Sequence, residues 1–227
     1  MLKKILLFSF LLFSSVLLAS EHGIFLKTHE AISEDIVTVE LQIANALNLN
    51  NFDILYRSDV KSPDYVREDS TEHCGFNAKL VVFSSKQFVE LLTKTDNKYL
   101  IGGFLRLGIY EDESGVNISI VDPETIARII FNDLYENDKE EEYKTIVNEV
   151  VKFKKELLTI LHSVKLGKEV ATSMPPIRDD EDLAESSKDM FMMVGQMTFF
   201  NDEDQFPLIY SYKNTLAEVK NIIIPAS

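Results

Sequence analysis

The chain contains no tryptophan and one cysteine, Cys74. A lone thiol forms no internal disulfide, so the core must hold without covalent staples. Histidine is also sparse, with His22, His29, His73 and His162 scattered along the sequence. A zinc site needs three or four ligands converging at recognisable spacings, and no such spacing is present. A free thiol, or a disulfide between two chains, is the better reading of Cys74. Positive charge is scarce too: 23 Lys and Arg stand against 37 Asp and Glu, a formal net charge of −14. That balance excludes nucleic acid as a partner, because phosphates demand a basic face. It argues equally against an anionic membrane surface.

Reactive motifs are missing as well. There is no Gly-x-Ser-x-Gly elbow, no phosphate loop and no His-Glu-x-x-His pair. Gly102-Gly103 precedes a strand-like run rather than joining strand to helix, so it reads as a turn and not a cofactor cradle. The acidic runs at 111–113, 179–182 and 202–204 lack the alternating oxygen ligands and central glycine of a calcium loop, and read as solvated loops. Paired carboxylates are plentiful, but in so acidic a chain they single out nothing. No cofactor is expected.

What is present begins with the first twenty residues. Lys3 and Lys4 make a positive start, Ile5 to Ala19 is apolar, and Ala19-Ser20 meets the polar Glu21-His22-Gly23. A charged start, a short apolar run and small residues at the exit describe a secretory signal peptide, residues 1–20. The apolar run falls short of the roughly 20 residues that span a bilayer as a helix. An uncleaved N-terminal anchor is the alternative. Removal of Lys3 and Lys4 with the signal takes the formal charge from −14 to −16. The expected location is therefore outside the cytoplasm, secreted or periplasmic. An apolar fraction of 45% over the whole chain marks it as globular rather than disordered.

Patterning predicts an α+β domain over 21–135. Gly23 to His29 reads as a first strand. Ser33 offers a helix N-cap, and Ile36, Val39, Ile43, Ala44 and Leu47 share a helical stripe. Val37 to Ile43 also alternates with period two, but length and the Ala-rich end favour the helix. Strands follow at Phe52 to Val60 and Lys79 to Ser84, then a short helix within Ser85 to Lys94. Phe104 to Tyr110, the turn Glu111 to Gly115 and Val116 to Val121 form the clearest hairpin. Asp122-Pro123-Glu124 opens a helix in good order: a cap, a proline at the first helical position and an acid at the positive helix end. A long amphipathic helix, 136–165, runs chiefly from Lys139 to Val164. Asp138 and Glu141 have capping-box spacing, and the apolar stripe is broken only at Lys154. Leu166 to Lys188 reads as a linker, with Pro175-Pro176 and an acidic run. Residues 189–227 read as a small α/β extension packing on the core.

These residues resemble domain-of-unknown-function family 302. The resemblance lies in Asn51-Phe52-Asp53-Ile54-Leu55-Tyr56, in Leu80 to Phe83, and in Phe88-Val89-Glu90-Leu91-Leu92. It is best in Phe104 to Asp112, Val116 to Val121 and Asp122-Pro123-Glu124. It covers roughly 23–134, about half the chain. It implies a two-layer sandwich related to the TATA-box-binding-protein fold, an antiparallel sheet with helices on one face, and a homodimer. The family usually carries a Cys-Asn-Pro-like signature after its third strand, where this chain reads Phe83-Ser84-Ser85-Lys86. The family brings no agreed activity with it.

The expectation for function is a non-catalytic binding or accessory protein of the cell envelope, acting on a small molecule or an envelope protein. Two alternatives remain open. An envelope hydrolase or redox enzyme would draw first on Asp69, His73 and Cys74 of the 61–77 loop. A Cu(I) site would draw on Met190, Met193 and Met197, which share one helical face, since thioether sulfur is a soft ligand. Packing is the simpler reading of that methionine cluster, beside Phe191, Val194, Phe199 and Phe200.

Overall fold

A computed structural model of the protein describes residues 22–60 and 77–179, together with Leu183. The chain divides into two units, Met1–Glu185 and Ser186–Ser227, and every described residue lies in the first. The expected signal segment 1–20 and the expected extension 189–227 lie outside the described residues.

Six strands form one antiparallel sheet: β1 (His22–Ile32), β2 (Phe52–Val60), β3 (Ala78–Ser85), β4 (Leu105–Asp112), β5 (Gly115–Val121) and β6 (Lys168–Arg178). Their spatial order is β2-β3-β4-β5-β1-β6. The helices are α1 (Ile36–Leu49), α2 (Lys86–Thr93), α3 (Pro123–Ile130), α4 (Asn132–Glu136) and α5 (Glu140–His162), with a 3-10 helix at Asn97–Gly103. The architecture is the expected α+β sandwich of a sheet and a helical layer.

Alternation along the strands sets the two layers. Leu26, Val81, Phe83, Leu105, Leu107, Ile109, Val116, Ile118 and Ile120 are buried on one face of the sheet. Val39, Ile43 and Leu47 of α1 and Val150, Phe153, Leu157 and Leu161 of α5 complete that core. On the opposite face, Phe25 and Tyr56 are exposed.

Local chemistry explains most element ends, and in places overturns the sequence reading. α1 is capped by Asp35, not Ser33: its carboxylate accepts from the backbone N–H of Val37 at 3.1 Å and Thr38 at 3.0 Å. The reason is that β1 continues to Ile32, so Ser33 and Glu34 are spent on the turn. Asp122 caps α3 as expected, accepting from the Glu124 N–H at 2.9 Å. The capping box expected of Asp138 and Glu141 does not form. Asp138 turns the chain at φ 59°, and Lys139 stands at the N-cap without a side-chain bond. Glu140, Glu141 and Glu142 instead meet the positive helix end. Gly102-Gly103 closes the 3-10 helix rather than forming an open turn. A Cβ on Gly102 would lie 2.7 Å from Ile130 Cδ1, so the helices approach only because it is absent.

The larger correction concerns the linker expected over 166–188. Lys168–Arg178 is a strand that pairs with β1, with Leu26 opposite Ser173 and Lys27 opposite Thr172. No residue of β6 is buried, so it lacks the apolar alternation that reveals a strand. Its prolines fit because an edge strand needs its N–H groups on one side only.

Candidate functional site

α1 ends in three asparagines, and they do local work. Asn50 donates its side-chain amide to the Ala46 carbonyl at 2.8 Å, and its backbone N–H to Leu47 at 3.0 Å. Asn51 takes φ 63°, a left-handed conformation that asparagine tolerates, and swings the chain into β2. Phe52 then pairs with Ser85 at the far end of β3. Ser85 caps α2, its hydroxyl oxygen accepting from the Phe88 N–H at 3.1 Å. The end of α1 and the start of α2 are thus fixed side by side.

α5 crosses this junction. Phe153 stacks on Phe88 with ring centroids 4.2 Å apart and planes 11° from parallel, and lies 6.0 Å from Phe52. The result is a cleft of about 250 Å³. Phe52, Phe153 and Ile160 supply its apolar lining, and Asn50, Asn51, Gln87, Lys86 and Glu156 its polar groups. A second, shallower groove of about 280 Å³ runs along Gln42, Asn45 and Ser163. The two share Leu49 and Asn50, and Leu49 is 74% exposed between them. Amides that both donate and accept, one ammonium and one carboxylate over an aromatic floor suit a small polar ligand.

Two charge clusters, each built on a buried carboxylate, tie the helices to the sheet and to one another. Glu40 of α1 receives Arg57 at 2.6 Å and Lys79 at 3.2 Å from β2 and β3. Burial works against its charged form, but these two cations outweigh it and hold the carboxyl below its ordinary range. Lys154 of α5 donates to Asp122 at 2.6 Å and Glu124 at 3.1 Å. Arg128 adds a 3.0 Å bond to Glu124.

Asp69, His73, Cys74, Met190, Met193 and Met197 all fall outside the described residues. Among the described residues, no group of three or more His, Cys, Asp or Glu is placed to hold a metal ion. No described helix is long and apolar enough to cross a membrane. His29 and His162, unconnected in sequence, are brought into ring contact. Sequence reasoning missed the cleft, because its polar residues come from three separate elements and belong to no motif; the asparagines at 48, 50 and 51 were the one visible mark.

No family model matches the sequence, and no curated protein matches it. Among solved structures, the chain is similar to an uncharacterized conserved protein DUF302 from Bacillus stearothermophilus. The two are 13% identical with a TM-score of 0.40, over 62% of this chain and 97% of that one. It carries the number of the family that the sequence resembles.

Proposed function

We propose that the protein is a non-catalytic binding protein of the bacterial cell envelope, and that it holds a small polar ligand in the cleft between α1, α2 and α5. The observation that carries this reading is the cleft itself, about 250 Å³ lined by amides, Lys86 and Glu156 beside Phe52 and Phe153. Its walls are helix ends fixed by caps and by a strand pair, so the backbone that carries the polar groups is set before a ligand arrives. Ser85 already spends its hydroxyl oxygen on the α2 cap, which fits a scaffolding role better than attack on a substrate. The envelope assignment rests on the signal-like residues 1–20 and on the acidic balance of the chain.

The test is a thermal-shift panel of amino acids, short peptides and sugars on the protein lacking residues 1–20. The account expects one class to raise the melting temperature. Gln87→Trp, which fills the cleft from its exposed edge, should abolish that shift. A panel with no active compound, or a shift that survives Gln87→Trp, removes the proposal.

A further inference from the structure

β6 is held to the sheet with little help from the core. It has no buried residue, and among the described residues its sheet bonds run to β1 alone. Its side-chain ties are few: Lys168 to Glu30 at 2.6 Å, Lys165 to Glu169 at 3.0 Å, and the His162 ring. His162 Nε2 lies 3.2 Å from the Thr28 carbonyl of β1 and 3.1 Å from the Val170 carbonyl of β6. Carbonyls only accept, so this nitrogen carries the hydrogen and joins the two strands at the end of α5.

Directly beneath sits His29, fully buried, its ring centroid 5.2 Å from that of His162 in an edge-to-face contact. β1 bulges here, with register shifts against both β5 and β6 between Lys27 and His29. The Thr28 hydroxyl donates to the Ile118 carbonyl at 3.4 Å and lies 3.1 Å from His29 Nδ1. A hydroxyl that donates to Ile118 accepts from His29, so Nδ1 bears the ring hydrogen and Nε2 is a bare acceptor. That Nε2 is buried without a hydrogen-bond partner.

We propose that His29 is an acid-sensitive latch: when its Nε2 takes a proton, β6 leaves β1 while the β2-β3-β4-β5 sheet stays folded. A proton there makes a buried cation with no acceptor, against the edge of a second imidazole. The charged groups around it are Glu169, opposite His29 in register, Lys165 and Lys168 beside β6, and Lys27 and Glu30 on β1. Glu169 favours the cation, but it is exposed to solvent and already bonded to Lys165. β5 offers only Ile118 and Ser119 at this level. Burial first, and His162 second, accordingly lower the His29 pKa from 6.5 to about 4. Departure of β6 admits water to Nε2, and the strand with no buried residue is the one whose release costs least. One proton taken up on opening raises the opening equilibrium roughly tenfold per pH unit between the two pKa values. The released state bares the β1 edge, a row of unpaired backbone groups open to another strand.

Hydrogen exchange from pH 7 to pH 4.5, corrected for intrinsic rates, tests this together with NMR titration of His29 in the unmodified protein. Below pH 6.5 those amides within Thr172 to Met174 that bond to β1 should lose protection about tenfold per pH unit of acidification, while those of Val81 and Leu107 keep theirs. His29→Gln should flatten that dependence, and the His29 ring should titrate near 4. A ring titrating near 6.5, an equal slope in the variant, or simultaneous loss across the whole sheet would overturn the latch. None of these readouts involves the α1–α2–α5 cleft, so latch and ligand site stand or fall separately.

Discussion

Glu40 sits in α1 between Val39 and Leu41, and by composition it belongs on a solvated face. The fold instead turns it inward, where its side chain is 6% exposed between Arg57 and Lys79. Nothing near it in sequence announces this, because both partners arrive on strands that the chain forms later. Lys154 is the same case from the other side: it interrupts the apolar stripe of α5 because Asp122 and Glu124 wait on α3. The Glu40 pairing has a definite pH signature. Its folded carboxyl is held below the ordinary 4.5, so its contribution is complete above that value and is lost as pH falls through the lower folded value. Glu40→Gln should therefore cost about 1.5–3 kcal/mol at pH 7, the scale of hydrogen bonds to a charged group. The gap between denaturant melts of the two proteins should narrow progressively as the pH falls below 4.5. A gap that stays unchanged through that acid range would mean that packing, not charge, is what the substitution removes.

Elements were legible where periodicity and punctuation agreed. The hairpin of β4 and β5 and the opening of α3 follow from alternation, a glycine turn and the Asp-Pro-Glu start. Cap positions were less legible, since Ser33 and Asp35 are both good caps and only the length of β1 chooses between them. β6 was illegible in principle, because an edge strand with no buried residue shows neither period two nor an apolar run. Gly115 marks the place where the turn chemistry is strictest. It adopts φ 119°, and a Cβ there would meet the Ile32 carbonyl oxygen at 2.6 Å. Gly115→Ala should cost about 1–3 kcal/mol, the scale of a strained backbone position. Gly108 in β4 is the control: its added Cβ meets only Ser119 Oγ at 3.6 Å, and Gly108→Ala should stay within about 0.5 kcal/mol. Equal costs at the two sites, read from thermal melts, would contradict this account of the turn.

At the scale of the whole molecule, the sequence led to the α+β architecture but not to the cleft. Fold class follows from patterns that run through many residues. The cleft depends on the meeting of three elements at Asn50, Ser85 and Phe153, and that meeting is a tertiary event without a local signal. The sheet has helices on one face, and its other face presents Phe25 at 47% and Tyr56 at 58% exposure. Asn117 and Ser119 on that face are already buried, so on the homodimer reading a second copy would cover only the exposed residues flanking them. Light scattering at micromolar concentration should give twice the mass of the processed chain, and a monomer there would refute the dimer. The central claim, a ligand held between α1, α2 and α5, is tested most directly by native mass spectrometry of the protein isolated from the cells that make it. The account predicts a small-molecule adduct on the unmodified protein that is missing from Gln87→Trp; no adduct, or one carried equally by the variant, would contradict it.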